Sequence, residues 1–139
     1  MIDINQNTVQ AWCQSRGIDL MILFGSRATG KIHARSDTDI ALFSHTNRLR
    51  AHHVRLYGEM EDLLREEIDV TILDLDTDPV LLVEVYQKGK CLYESEPDLF
   101  FQQKLRAYKI FEDTKPLRAL RDQALAKRIK ALPHVYTAR

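Results

Sequence analysis

Leu20-Met21-Ile22-Leu23-Phe24-Gly25-Ser26, ten further residues, then Asp37-Thr38-Asp39-Ile40-Ala41-Leu42-Phe43 is the passage on which the reading of this chain turns. The two apolar runs predict buried strands at Leu20–Phe24 and Thr38–Phe43. Small residues directly after a strand let backbone N–H groups approach an anion, as in a phosphate-binding nest. Residues i and i+2 of a strand point to one face, so Asp37 and Asp39 are placed to hold a divalent cation together. A phosphate cradle beside a dicarboxylate is what metal-dependent phosphoryl or nucleotidyl transfer requires. Four such positions meet by chance in about one chain of this length in several hundred. Gly30-Lys31-Ile32 lacks the hydroxyl of a P-loop, and no G-x-G-x-x-G run marks a dinucleotide site.

Gly25-Ser26, the ten-residue spacer and Asp37-x-Asp39 resemble the signature of the DNA polymerase β-like nucleotidyltransferase superfamily, and the chain is most similar to its minimal nucleotidyltransferases. Glu67-Ile68-Asp69-Val70-Thr71-Ile72-Leu73-Asp74-Leu75 resembles that family's third catalytic strand. Pro79-Val80-Leu81-Leu82 and Lys88-Gly89-Lys90-Cys91-Leu92-Tyr93-Glu94 resemble its closing helix and strand, so the likeness covers about residues 17–95. It implies the polymerase β-like α+β fold, with a small mixed sheet, flanking helices and a C-terminal helical tail. It also implies the antitoxin half of a HEPN/MNT pair, a cytoplasmic enzyme that uses Mg²⁺ to transfer AMP from ATP onto a tyrosine of a cognate HEPN ribonuclease toxin. The alternatives are an antitoxin that neutralises by binding alone and a small-molecule, antibiotic-modifying nucleotidyltransferase. The latter generally carries a larger second domain. DNA binding is expected only of an autoregulatory complex, since no helix-turn-helix signature is evident.

The residues themselves assign the chemistry as follows. Gly25 and Ser26 face the β- and γ-phosphates, with Arg27, Lys31 and Arg35 as candidates to neutralise the triphosphate. Asp37 and Asp39 hold metal. Asp69 is the third carboxylate, for the second metal and for activating the acceptor hydroxyl, because an unpaired charge amid apolar strand residues is costly. Asp74 is its rival, and Asp74, Asp76 and Asp78 are the usual kind of turn and cap residues. His33, His45, His52 and His53 form no ligand set and are expected at the surface or partly packed.

The 139 residues, 45% apolar and 29% charged, suit one soluble domain with a real core and no membrane span. Met1-Ile2-Asp3-Ile4-Asn5 lacks a basic leader and an apolar stretch, so no secretory signal is expected, and Cys13 and Cys91 are expected to be reduced, partly buried thiols. The net charge of zero hides a division: residues 1–100 hold 10 cations and 17 acids, and residues 101–139 hold 10 cations and 3 acids. A nucleotidyltransferase core at 1–95 and a basic helical tail at 96–139, packed on the core or on a partner, are expected. Helices are predicted at Thr8–Arg16, Arg48–Glu66 (with Leu49, Val54, Tyr57, Met60, Leu63 and Leu64 as its apolar positions), from Pro79 to near Gly89, at Pro97–Ile110 and at Leu117–Ala131. Further strands are predicted at Ile68–Leu75 and Cys91–Tyr93, with the helices on one side of the sheet.

Overall fold

The structure is a computed structural model, and it describes residues 5–25, 38–46 and 48–132. In chain order these form α1 (Gln6–Arg16), β1 (Leu20–Phe24), β2 (Thr38–Phe43), a 3-10 turn (Leu49–His52) running into α2 (His53–Leu64), β3 (Ile68–Leu73), α3 (Pro79–Lys88), β4 (Lys90–Glu94), α4 (Leu99–Asp113) and α5 (Lys115–Ala131). The four strands lie in the order β3-β2-β1-β4. β1 is antiparallel to both of its neighbours, and β2 and β3 are parallel, joined by the crossover through α2. The sheet is therefore mixed, and the architecture is α+β as expected.

Local chemistry sets the element ends. The Asn5 side chain accepts the N–H groups of Asn7 and Thr8, so α1 starts two residues before Thr8. Gly17, at φ 68°, closes it. Asp78 accepts the Val80 N–H at 2.9 Å and Pro79 opens α3, as the sequence predicts.

Helices cover both faces of the sheet, not one. Met21, Leu23, Ile40 and Leu42 pack with Val9 and Cys13 of α1 and with Leu56, Met60 and Leu64 of α2. The alternate residues Leu20, Ile22, Ala41 and Phe43 pack with Val85 and Tyr86 of α3 and with Leu99 and Ala107 of α4. The cause is visible in β1 and β2, which are apolar at every core position and so must be buried on both sides.

The apolar face of α2 also differs from expectation. Its buried row is Leu56, Met60 and Leu64, in helical phase with Leu49, whereas Val54 is 86% exposed and Tyr57 also faces outward. Residue type alone selected Val54; helical spacing selects Leu56. Arg16 of α1 grips Glu59 of α2 with a forked hydrogen bond, which holds the Glu59 carboxyl below its ordinary pKa. At the open edge of β3, His53 Nε2 lies 3.0 Å from the Val70 carbonyl and Arg50 Nη2 donates to that of Ile72, which covers groups an edge strand leaves exposed.

Cys13 is fully buried, and desolvation pushes its thiol up to about 12. Cys91 lies on the exposed side of β4. The segment after β4 has two unlike parts: α4 buries Leu99 and Ala107, with Phe100 against the Tyr86 ring, while α5 buries none of its residues. Among the described residues no helix is long and apolar enough to cross a membrane.

Candidate functional site

β1 ends in Gly25, whose φ of 81° lies in the left-handed region that side chains rarely adopt. A Cβ built at Gly25 would stand 2.1 Å from Asp39 Oδ2. Glycine is therefore required here twice over, for backbone conformation and for the space Asp39 occupies. The sequence argument had reserved that space for phosphate alone.

Asp39 is half-buried on β2 and lies opposite Phe24 on one side and Asp69 on the other. The Asp39–Asp69 pairing follows from the parallel register that matches Thr38 to Ile68 and Ile40 to Val70. Neighbouring strands run about 4.8 Å apart, so the two carboxylates leave the same face of the sheet side by side. By alternation this is the face carrying Ala41, Phe43 and Leu73, the α3–α4 side. Among the described residues no three His, Cys, Asp or Glu side chains gather as a metal site. What those residues supply is the pair Asp39 and Asp69, and hard carboxylate oxygens of this kind suit Mg²⁺. Ser26, Arg27, Lys31, His33, Arg35 and Asp37 lie outside the described residues.

Thr38, between the two sequence-predicted metal acids, is fully buried, and its Oγ1 has no hydrogen-bond partner among the described residues. A buried hydroxyl left in this state costs about 1–3 kcal/mol. No sequence signal marks it.

The rival acids are engaged elsewhere. Asp74 accepts Arg50 Nε at 2.6 Å and the Asp76 N–H at 2.9 Å, and the Arg50 hydrogen bond is the main cause of its lowered pKa. Asp78 caps α3. His45 packs edge-on against Phe43, and His53 serves the β3 edge. Sequence reasoning missed a cleft of about 680 Å³ at the carboxyl ends of β2 and β3, lined among others by Phe43, Leu73, Leu82, Arg106 and Arg121. Its walls come from five separate elements, so no local motif announces it.

A glycine turn folded against one of two register-matched aspartates, on a four-stranded mixed sheet, is the frame of a nucleotidyl-transfer domain. Residues 7–98 match the family Polymerase beta, Nucleotidyltransferase, and the chain belongs to that family. It is 34% identical to Protein adenylyltransferase MntA of Aphanizomenon flos-aquae, in a match covering 63% of this chain and 66% of that protein, just under two thirds of its length. The fold is similar to a toxin-antitoxin crystal structure with AMP-PNP (TM-score 0.70, 22% identity, 92% of this chain and 100% of that one). It is also similar to a structure of tri-AMPylated Shewanella oneidensis HEPN toxin in complex with MNT antitoxin (TM-score 0.64, 20% identity, 91% of this chain and 96% of that one).

Proposed function

We propose that this chain is a Mg²⁺-dependent protein adenylyltransferase of the antitoxin type, which transfers AMP from ATP to a tyrosine of a cognate HEPN toxin. The observation that carries the reading is the Asp39–Asp69 register beside Gly25 within the family-matched segment. The names of the similar proteins supply the nucleotide and the acceptor class: an adenylyltransferase, an AMP-PNP complex and an AMPylated HEPN toxin.

In this reading Asp37, Asp39 and Asp69 hold the metal. Mg²⁺, when bound, supplies charge neutralisation at the phosphoryl oxygens. The Gly25 turn brings backbone N–H groups to the triphosphate, Ser26 adds its hydroxyl, and Arg27 offsets negative charge. Asp69 accepts the proton of the tyrosine hydroxyl. The phenolic oxygen then bonds to the α-phosphorus, the bond from that phosphorus to the bridging oxygen breaks, and diphosphate leaves with the electron pair. Residues 1–95 perform the transfer, and 96–139 serve the partner. The cytoplasm, where ATP and a ribonuclease target coincide, is the proposed compartment.

The test is incubation with labelled ATP, Mg²⁺ and purified toxin. Label should appear on the toxin with the wild-type chain. It should fall at least 100-fold with Asp37→Asn/Asp39→Asn, since metal-borne charge stabilisation is worth several kcal/mol. Toxin neutralised without label would favour the antitoxin that acts by binding alone, and wild-type labelling by the double variant would overturn the metal assignment.

A further inference from the structure

α5 is a 17-residue helix that buries none of its residues on this chain. A helix of that length gains little stability from its backbone alone in water, so packing normally completes it. Leu117, Leu120, Leu125, Ile129 and Leu132 are each more than half exposed. Around them stand six cations (Lys115, Arg118, Arg121, Lys127, Arg128 and Lys130) and one acid (Asp122), a net of +5.

Its angle of departure from α4 is fixed. The Arg118 guanidinium lies 3.8 Å from the centre of the Phe111 ring and hydrogen-bonds Thr114 Oγ1. At the root of α5 is the 680 Å³ cleft, with Phe43, Leu73, Leu82 and Ile110 as apolar lining and with Arg106 and Arg121. Three acids stand on its opposite wall: Asp74 is bound to Arg50, Asp78 caps α3, and Asp76 donates its backbone N–H to Asp74.

We infer that α5 and the cleft at its root form one continuous docking surface for an acidic amphipathic helix of the partner protein. The five aliphatic side chains, spread over about half of the helix circumference with Arg118, Arg121 and Arg128 among them, fit the apolar positions of such a helix, one large side chain of which enters the cleft. The cations pair with acids of that helix and raise the on-rate in a salt-dependent way. A nucleic acid would satisfy the charge but leave five large aliphatic side chains uncovered. A second copy of α5 would bring +5 against +5. The surface lies at the opposite ends of β2 and β3 from Asp39 and Asp69, about 13 Å along the strands. Docking and transfer are thereby separate.

The inference rests on the proposed action upon a partner protein, and its test separates the two. Arg121→Glu/Lys127→Glu/Arg128→Glu and, independently, Leu120→Asp are compared with wild type; Arg118 is left alone because it braces the helix junction. Binding of purified HEPN toxin is titrated at low and moderate salt, alongside ATP binding, melting temperature and the mass of the free chain. Expected are a tenfold or greater loss of toxin affinity in both variants, a salt dependence present in wild type and reduced in the charge variant, and unchanged ATP binding and melting. Unchanged toxin affinity overturns the docking surface, as does equal loss of ATP binding or a free chain that dimerises through Leu120. If toxin binds and the variants weaken it but wild type transfers no AMP, the proposed reaction fails and the docking surface stands.

Discussion

The two ends of the parallel β2–β3 pair both carry aspartates, and they hold them in different ways. At the exit end, Asp74 and Asp78 are occupied by local structure: one takes the Arg50 guanidinium and a backbone N–H, the other caps α3. At the entry end, Asp39 and Asp69 owe their positions to strand register, which sets one beside the other. Acids that follow a strand end find backbone donors within a few residues. Acids within a strand are placed by the ladder itself. Two of them side by side repel, and a cation relieves that repulsion. The difference separates acids tied into a turn or a cap from acids placed by strand register, although Asp69 lies within β3 and Asp74 directly follows it.

The most severe test exchanges one acid from each end. Asp69→Asn should lower AMP transfer by at least 100-fold while ATP binding through Asp37 and Asp39 is largely kept. Asp74→Asn should leave transfer within a few-fold of wild type, because its partners are a turn and Arg50. Single-turnover transfer with labelled ATP measures both. The reverse ranking would mean that the register does not identify the reactive acid.

A smaller effect is expected at the glycine. Gly25→Ala should destabilise the chain by about 1–3 kcal/mol, from the left-handed φ and the approach to Asp39. Because the clash is with the carboxylate, part of that penalty should disappear in an Asp39→Ala background. Denaturant unfolding of the single and double variants measures the coupling. Strict additivity would show that the glycine serves backbone conformation alone.

Much of this was legible in the chain. β1 and β2 have the predicted bounds, because uninterrupted apolar runs between turn residues leave little choice, and Asp78-Pro79 announces the start of α3. The sequence favours Asp69 over Asp74 on the cost of burying a charge, but Asp69 is exposed on β3 and Asp74 is the more buried of the two, so burial cost does not favour Asp69; the opposition of Asp39 and Asp69 is a separate reason, which only strand pairing reveals. What stayed hidden depends on contacts distant in sequence. The contact between Gly25 and Asp39 spans two strands, and the cleft at the root of α5 is assembled from five elements. The exposure of α5 was equally hidden, since Leu117, Leu120 and Leu125 look the same in sequence whether covered by the chain or by something else.

The smallest expected effect lies at the exit end and tests whether Asp74 is structural. Its folded carboxyl has a lowered pKa, chiefly through the Arg50 hydrogen bond, with burial acting in the opposite sense. A group whose pKa is depressed on folding contributes stability above its unfolded pKa, near 3.9, and loses that contribution as pH falls through the folded value. Arg50 remains charged throughout, so the loss belongs to Asp74. Wild type should therefore melt above Asp74→Asn at neutral pH, by a few degrees at most because Arg50 is more than half exposed. The gap should narrow steadily below about pH 4 as the wild-type carboxyl takes up its proton. Melting curves of both proteins from pH 7 to pH 3 record the difference directly. A gap that widens on acidification would mean that the Asp74 carboxylate is under strain in the fold, and the contrast between the two ends of the strand pair would then have to be drawn some other way.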